Sequence, residues 1–285
     1  MGVKVSVARI VSLVPGATES LYALGLGDRV AAVTHECDWP AAARALPRVT
    51  RSTLELDGLE GGDIDLRVAG AAERGDPLYV VDTAAIRRLE PDLVVAQDVC
   101  AVCAVAADEV VSELQGLRLL RQHPHTLEDV LQGIDELAKA SDLEASSLTT
   151  RLRARIEAAV SAVGGRRVRG VFLEWLDPPY AAGHWTPDLL RAAGLEDPLA
   201  RPGLPSVPIT WEAVAAAEPE VLVLAPCGFD QARAEAEAGR LRDAIAATGC
   251  RREIVLDGSA YFNRPGPRLA DSLEVLASEL WADQA

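Results

Sequence analysis

Glu90-Pro91-Asp92-Leu93-Val94-Val95-Ala96 and Glu218-Pro219-Glu220-Val221-Leu222-Val223-Leu224-Ala225 carry the reading of the fold. Each is a Glu-Pro-acid step followed by an unbroken apolar run. Such a run, with no polar residue at alternate positions, reads as a strand buried on both faces, the habit of a parallel sheet. Each run follows a short helix, 84–89 in the first case and 211–217 in the second. Each then delivers a loop of chemically active residues, Gln97–Cys103 and Pro226–Phe229. The two halves of the chain therefore repeat one element.

Working outward, Ile10–Val14 is a short apolar strand. Pro15-Gly16-Ala17-Thr18-Glu19 opens a helix through Leu24, with Thr18 a candidate N-cap, and Gly25 ends it. Val30–Val33 is the next strand, which completes a strand–helix–strand unit. In the second half Val168–Leu173 is a strand, and Thr186-Pro187-Asp188 opens a helix that Gly194 closes. Between the halves, Leu127, Val130, Leu131, Ile134 and Leu137 recur at helical spacing, and a second helical run from Leu143 to Val163 stops at Gly164-Gly165. No Gly/Ser/Pro-rich linker intervenes. The expected organisation is an α/β N-terminal lobe over 8–125, bridging helices over 126–165 and an α/β C-terminal lobe over 166–285. That agrees with a length of 285 residues, which favours two cores over one.

Composition excludes some functions. With 43 acidic against 28 basic side chains the net charge is −15, and the basic residues are scattered, so a nucleic-acid partner is not expected. No stretch approaches the ~20 apolar residues of a membrane span. The opening Met1–Arg9 shows no apolar leader core or cleavage site, and a cytoplasmic location is expected. Neither a Gly-rich phosphate loop nor a Gly-x-Ser-x-Gly elbow occurs.

Ligands of open α/β sheets sit at the carboxyl ends of strands. Here those ends are His35-Glu36-Cys37-Asp38-Trp39, Gln97–Cys103, Glu174–Tyr180 and Pro226–Phe229, all converging on one cleft. Only 4% of residues are aromatic, yet five are Trp, and Trp39, Trp175, Trp185 and Tyr180 fall in these loops. Flat rings there suit a large, partly apolar ligand, although any one Trp could simply cap the core. Trp211 and Trp281 read as structural. Cys37, Cys100, Cys103 and Cys227, with His35 and His184, make a candidate donor set for zinc or an iron–sulfur cluster. Cys100-x-x-Cys103 runs into a helix N-terminus, which favours the thiolate. The competing account is that these are small buried residues. His35 or His184 could alternatively serve as an axial base. Glu36, Asp38, Glu174 and Asp177 ring the same loops as acceptors.

The chain resembles the helical-backbone class of substrate-binding proteins, which includes vitamin B12 and iron-chelate receptors of ABC importers. The resemblance rests on Ile10–Glu19 with Leu24–Val30, on Cys37-Asp38-Trp39-Pro40, on the two Glu-Pro strands and on Arg264-Pro265-Gly266-Pro267-Arg268-Leu269. It covers roughly residues 8 to 283. More narrowly the chain is similar to leaderless proteins of the cobalamin-binding branch, through His35–Asp38, Gln97–Ala104, Glu174–Pro179, Gly183-His184-Trp185 and Pro226–Phe229. The resemblance implies two parallel-sheet lobes bridged by a long rigid helix, little hinge motion and a small-molecule ligand in the cleft. It implies cobalamin or another corrinoid as that ligand, with Trp39, Asp38, Gln97, Glu174, Trp175, Tyr180, Trp185 and Phe229 around it, and an ABC permease as partner. Non-catalytic binding is the leading reading. A cytosolic metal- or cluster-dependent protein, possibly an enzyme using the cysteine loops, is the alternative.

Overall fold

A computed structural model of the chain describes residues 7–97, 114–143 and 146–282. These residues form two compact units. Unit 1 draws on residues up to Glu55, Arg67–Pro124 and Glu128–Arg151, and unit 2 on Leu56–Leu66, His125–Leu127 and the chain from Leu152 onward.

Unit 1 is built on strands β1 (Ile10–Ser12), β2 (Val30–Val33), β5 (Leu93–Gln97) and β6 (Leu119–Gln122) in the order β2-β1-β5-β6, all parallel. Strands β3 (Thr50–Ser52) and β4 (Tyr79–Val81) make a separate antiparallel pair. The apolar runs bury both faces, because alternate side chains leave a strand on opposite sides. Ile10, Leu93 and Val95 pack with Val14, Ala17 and Leu21 of the helix Pro15–Ala23. Val11 and Val94 pack on the other side with Val49 and Ile86.

Unit 2 repeats the plan. Strands β7 (Val168–Leu176), β10 (Val221–Leu224) and β11 (Arg252–Val255) are parallel, and β8 (Pro179–Ala181) returns antiparallel along β7. The two-residue β9 (Leu195–Glu196) joins the start of β7. Just beyond β9, the Asp197 carboxylate accepts the amides of Phe172 and Leu199 at 2.9 and 2.8 Å, tying that loop to the central strand.

The twin Glu-Pro steps are the same structure. Glu90 and Glu218 both have φ of 48°, in the left-handed region that costs a side-chain-bearing residue roughly 1–2 kcal/mol. In each case the helix has just ended, and the following Pro forbids its continuation. Each residue after the Pro then donates its amide to an arginine carbonyl on the neighbouring strand's side. Asp92 reaches Arg9 at 2.8 Å and Glu220 reaches Arg169 at 2.9 Å. The helices entering the two steps are capped alike, by Asp82 on Ala85 N and Thr210 on Ala213 N.

One local expectation changes. The first helix starts at Pro15 with Val14 as N-cap, and Thr18 lies inside it. Thr18 is the fourth residue of that helix, past the capping position, and its hydroxyl turns to other partners. That hydroxyl sits 2.9 Å from Ser12 Oγ and 3.2 Å from both the Val14 carbonyl and Cys37 Sγ.

Two helices cross from one unit's residues to the other's. Ser146–Val163 begins in unit 1 and ends in unit 2, while Gly61–Arg74 begins in unit 2 and ends in unit 1. Among the described residues no helix is long and apolar enough to cross a membrane.

Candidate ligand-binding site

In unit 1 the carboxyl end of β2 leads into Thr34–Trp39. Arg48 staples this loop by donating from Nη1 to the carbonyls of Thr34 and Cys37, both at 2.6 Å. His35 is anchored by Thr50, whose hydroxyl lies 3.0 Å from its amide and 2.7 Å from Nδ1. Burial, reinforced by Arg48 and opposed by Glu36, moves the His35 pKa below its usual value, so the imidazole is neutral at physiological pH. Trp39, at the loop tip, is 49% exposed, and Asp38 beside it lends its carbonyl to Arg44 Nε. Gln97 ends β5 almost fully buried, and its Oε1 finds no hydrogen-bond donor among the described residues. A buried amide oxygen left so is costly, and it marks Gln97 as a group available to a ligand.

Cys37 is a different matter. It has no exposed surface, lies in the apolar core of unit 1, and its sulfur sits 3.1 and 3.2 Å from the hydroxyls of Thr34 and Thr18. A thiol so enclosed behaves as a small core residue rather than a metal ligand.

In unit 2 the end of β7 and the loop after β10 lie side by side. The Glu174 carboxylate accepts the Gly183 amide at 2.8 Å, and its carbonyl accepts the Cys227 amide at 2.8 Å. Trp175 meets Phe229 edge to face with ring centroids 5.0 Å apart and planes at 67°. This is the favoured arrangement for two rings. The Trp175 indole N–H is held by the Asp177 carbonyl at 3.0 Å, and the Arg233 guanidinium stacks on the Phe229 ring at 3.8 Å. Tyr180, one strand turn later, donates to Asp65 Oδ1 at 2.9 Å. Of the residues read as ligand-facing, the structure thus brings Trp175, Tyr180, Phe229 and Glu174 into one neighbourhood.

Trp185 has moved inside. It is 7% exposed and donates its indole hydrogen to the Phe262 carbonyl at 2.8 Å, so its ring packs in the core of unit 2. His184 stacks on it at 5.7 Å and faces His125 at 5.9 Å. Burial first, and the neighbouring His125 second, hold the His184 pKa below its ordinary value.

His35 and Cys37 belong to unit 1, His184 and Cys227 to unit 2, and Cys100 and Cys103 lie outside the described residues. Among the described residues no group of three or more His, Cys, Asp or Glu side chains is placed to hold a metal ion. The described residues therefore give the zinc or iron–sulfur expectation no support.

The sequence reading missed the segment Leu56–Leu66, which packs with unit 2. Gly61 donates its amide to Glu237 Oε1 at 3.2 Å. Arg240 sits at the hub, 2.6 Å from Glu237, 2.8 Å from Asp177 and 3.6 Å from Glu60. Arg233 adds a bond to the Leu59 carbonyl at 3.1 Å. A signal was present in the sequence: Gly61-Gly62 opens a helix in which glycine is otherwise a poor choice. A Cβ on Gly61 would lie 2.5 Å from Glu237 Oε1, and one on Gly62 would lie 2.8 Å from Asp177 Oδ2.

A fold of two parallel-sheet units joined through helix, with loops gathered at the strand ends, narrows the comparison with known proteins. Residues 10–248 match the periplasmic binding protein family. The chain belongs to that family. Among curated relatives, the vitamin B12-binding protein of Vibrio cholerae serotype O1 is 23% identical over 282 residues, 95% of this chain and 88% of that one. The vitamin B12-binding protein of Pectobacterium atrosepticum is 23% identical over 286 residues, with the same coverage. Among solved structures, the periplasmic vitamin B12 binding protein of Vibrio cholerae superposes with a TM-score of 0.72 at 22% identity, covering 98% of each chain. A periplasmic heme binding protein from Pseudomonas aeruginosa gives 0.72 at 19% identity over 97% of this chain and 93% of that one. At such identities these structures establish the shared helical-backbone fold of the periplasmic binding proteins and nothing finer.

Proposed function

We propose that this periplasmic binding protein family member binds a tetrapyrrole or a comparable metal chelate, with a corrinoid the leading candidate. The observation that carries the reading is the Trp175–Phe229 pair at the strand ends of unit 2, flanked by Tyr180. Trp39 offers the corresponding exposed ring in unit 1. Flat aromatic surface fits a flat macrocycle, and rings with few rotatable bonds lose little entropy on binding. The named relatives support it, since they include vitamin B12- and heme-binding proteins. In unit 2 the Glu174 carboxylate would accept a hydrogen bond from a ligand amide. By the same reading an ABC permease receives the ligand.

The test is a titration of the purified protein with hydroxocobalamin, dicyanocobinamide and hemin, followed by tryptophan fluorescence and visible absorbance. Saturable quenching at micromolar concentration by at least one of them is expected, weakened about tenfold or more in Trp175→Ala. Absence of any saturable change with all three would overturn the proposal.

A further inference from the structure

We propose that Leu56–Leu66 is a strap fastened over the ligand-binding loops of unit 2, so that ligand and strap compete and binding requires the strap to let go. This rests on the function proposed above and adds its regulation.

The strap's contacts fall on the residues that the sequence assigns to the ligand. Asp65 takes the Tyr180 hydroxyl. Gly61 stands against the Trp175 ring, 3.7 Å from its Cζ2 to a Cβ placed there. The Leu59 carbonyl takes the Arg233 guanidinium that stacks on Phe229. Glu60 and Asp177 share Arg240. The Tyr180 hydroxyl, the Arg233 and Arg240 guanidinium groups and the Asp177 carboxylate are thereby engaged within the protein itself.

The fastening is also of a reversible kind. Its hub is an ion-pair cluster with substantial solvent access, since the side chains of Arg240, Asp177 and Glu60 are 31%, 39% and 64% exposed. Pairs in such surroundings contribute little each and are screened by salt. Asp57, Gly58, Glu60, Asp63 and Leu66 of the strap itself are exposed. Ile64 is the one apolar side chain of the strap that is buried, Leu56 and Leu59 being half-buried and Leu66 exposed, so a single apolar anchor and a set of polar contacts must exchange with a ligand. Glu237 is buried, at 7% exposure, and faces both Arg240 and the Gly61 amide, and in the strap itself Gly61 and Ile64 are buried. The glycine pair is what lets the strap backbone press onto these carboxylates.

Competition follows from linkage. If the loops accept ligand only with the strap released, the apparent affinity is lowered by the fraction of molecules that are open. Loosening the strap at a residue that does not touch ligand then tightens binding.

The experiment compares wild type with Asp65→Ala and Gly61→Ala, titrated with hydroxocobalamin and hemin, with hydrogen exchange of peptides covering 56–66 read with and without each probe. Neither substitution leaves a buried charge unpaired, and Arg240→Gln serves as a third, independent release of the same strap. The expected result is an apparent Kd at least about fivefold tighter in the variants, and faster exchange across 56–66 when wild type is loaded. Equal or weaker binding by the variants, or exchange across 56–66 that slows or stays unchanged on loading, would overturn the strap while leaving the proposed function standing. Binding of neither probe by wild type or any variant would overturn both.

Discussion

The Tyr180 hydroxyl donates to Asp65 Oδ1 at 2.9 Å, joining two residues 115 positions apart. Burial, then this hydrogen bond and the charge behind it, push the Tyr180 pKa up to about 12. Replacing Asp65 by Asn keeps an acceptor and removes the charge. The highest tyrosinate transition in an ultraviolet titration should then move down, yet stay above the ordinary value of 10, because burial is the largest cause and persists. An unchanged titration would mean that Asp65 is not the partner.

Trp185 should matter to stability and not to ligand contact. Trp185→Phe removes the donor to the Phe262 carbonyl in a buried setting, and a stranded acceptor there costs about 1–3 kcal/mol. Urea unfolding should show a lower midpoint at unchanged slope. Affinity for a tetrapyrrole probe should stay within about twofold of wild type, in contrast to Trp175→Ala.

Asp197 should make the protein less stable as pH rises through mild acid. Its carboxyl has a pKa raised to about 6 from 3.8, because burial outweighs the backbone hydrogen bonds from Phe172, Leu199 and Ala200. The folded state therefore holds this proton more tightly than the unfolded chain. The stabilisation is full below about pH 4 and is lost as pH climbs through about 6. The full swing is about 3 kcal/mol. Urea unfolding of wild type and Asp197→Ala at pH 4 and pH 7 should show the difference between them shrinking by that order at the higher pH.

His184 runs the other way. Its pKa is depressed below 6.5, so folding favours the neutral ring. The associated stability is present above pH 6.5 and is lost as pH falls through the depressed value. His184→Gln should flatten that acid-side decline in a thermal-melt series, and a variant with an unaltered slope would contradict the assignment.

The thiols should separate by reactivity. Cys37, fully buried between two threonine hydroxyls, should resist alkylation until the protein unfolds, while the partly exposed Cys227 should be labelled in the native state. Peptide mapping by mass spectrometry reads both at once.

How far the sequence carried the argument depends on which physics was local. The Glu-Pro strands were legible because an unbroken apolar run and a proline act within a few residues, and both steps fold alike. The left-handed turns at Glu90 and Glu218 were not, because neither is a glycine and each is imposed by the helix end and the following proline together. Trp175 and Tyr180 were placed at strand ends by the same local logic. Trp185 stands only a few residues further on, yet its fate is set by a carbonyl 77 residues away. The burial of Cys37 was not legible for a similar reason, since its enclosing hydroxyl on Thr18 comes from another element. The strap was invisible because its partners Tyr180, Glu237 and Arg240 lie far along the chain, and only the Gly61-Gly62 pair hinted at a close approach.

That distance sets an order of events at the ribosome. The residues that receive Asp65 and Gly61 are made 115 and 176 positions later. At about 5–20 residues per second the segment waits roughly 6 to 35 seconds for its partners. During that interval its run of acidic residues and paired glycines keeps it hydrated and unattached. The first sheet can assemble in the meantime, and the second half, once made, takes up a piece of chain that was synthesised long before it. A fragment beginning at Leu152 would therefore keep the Glu237–Arg240 pair but lack the Gly61 amide on Glu237 and the Asp65 acceptor of the Tyr180 hydroxyl.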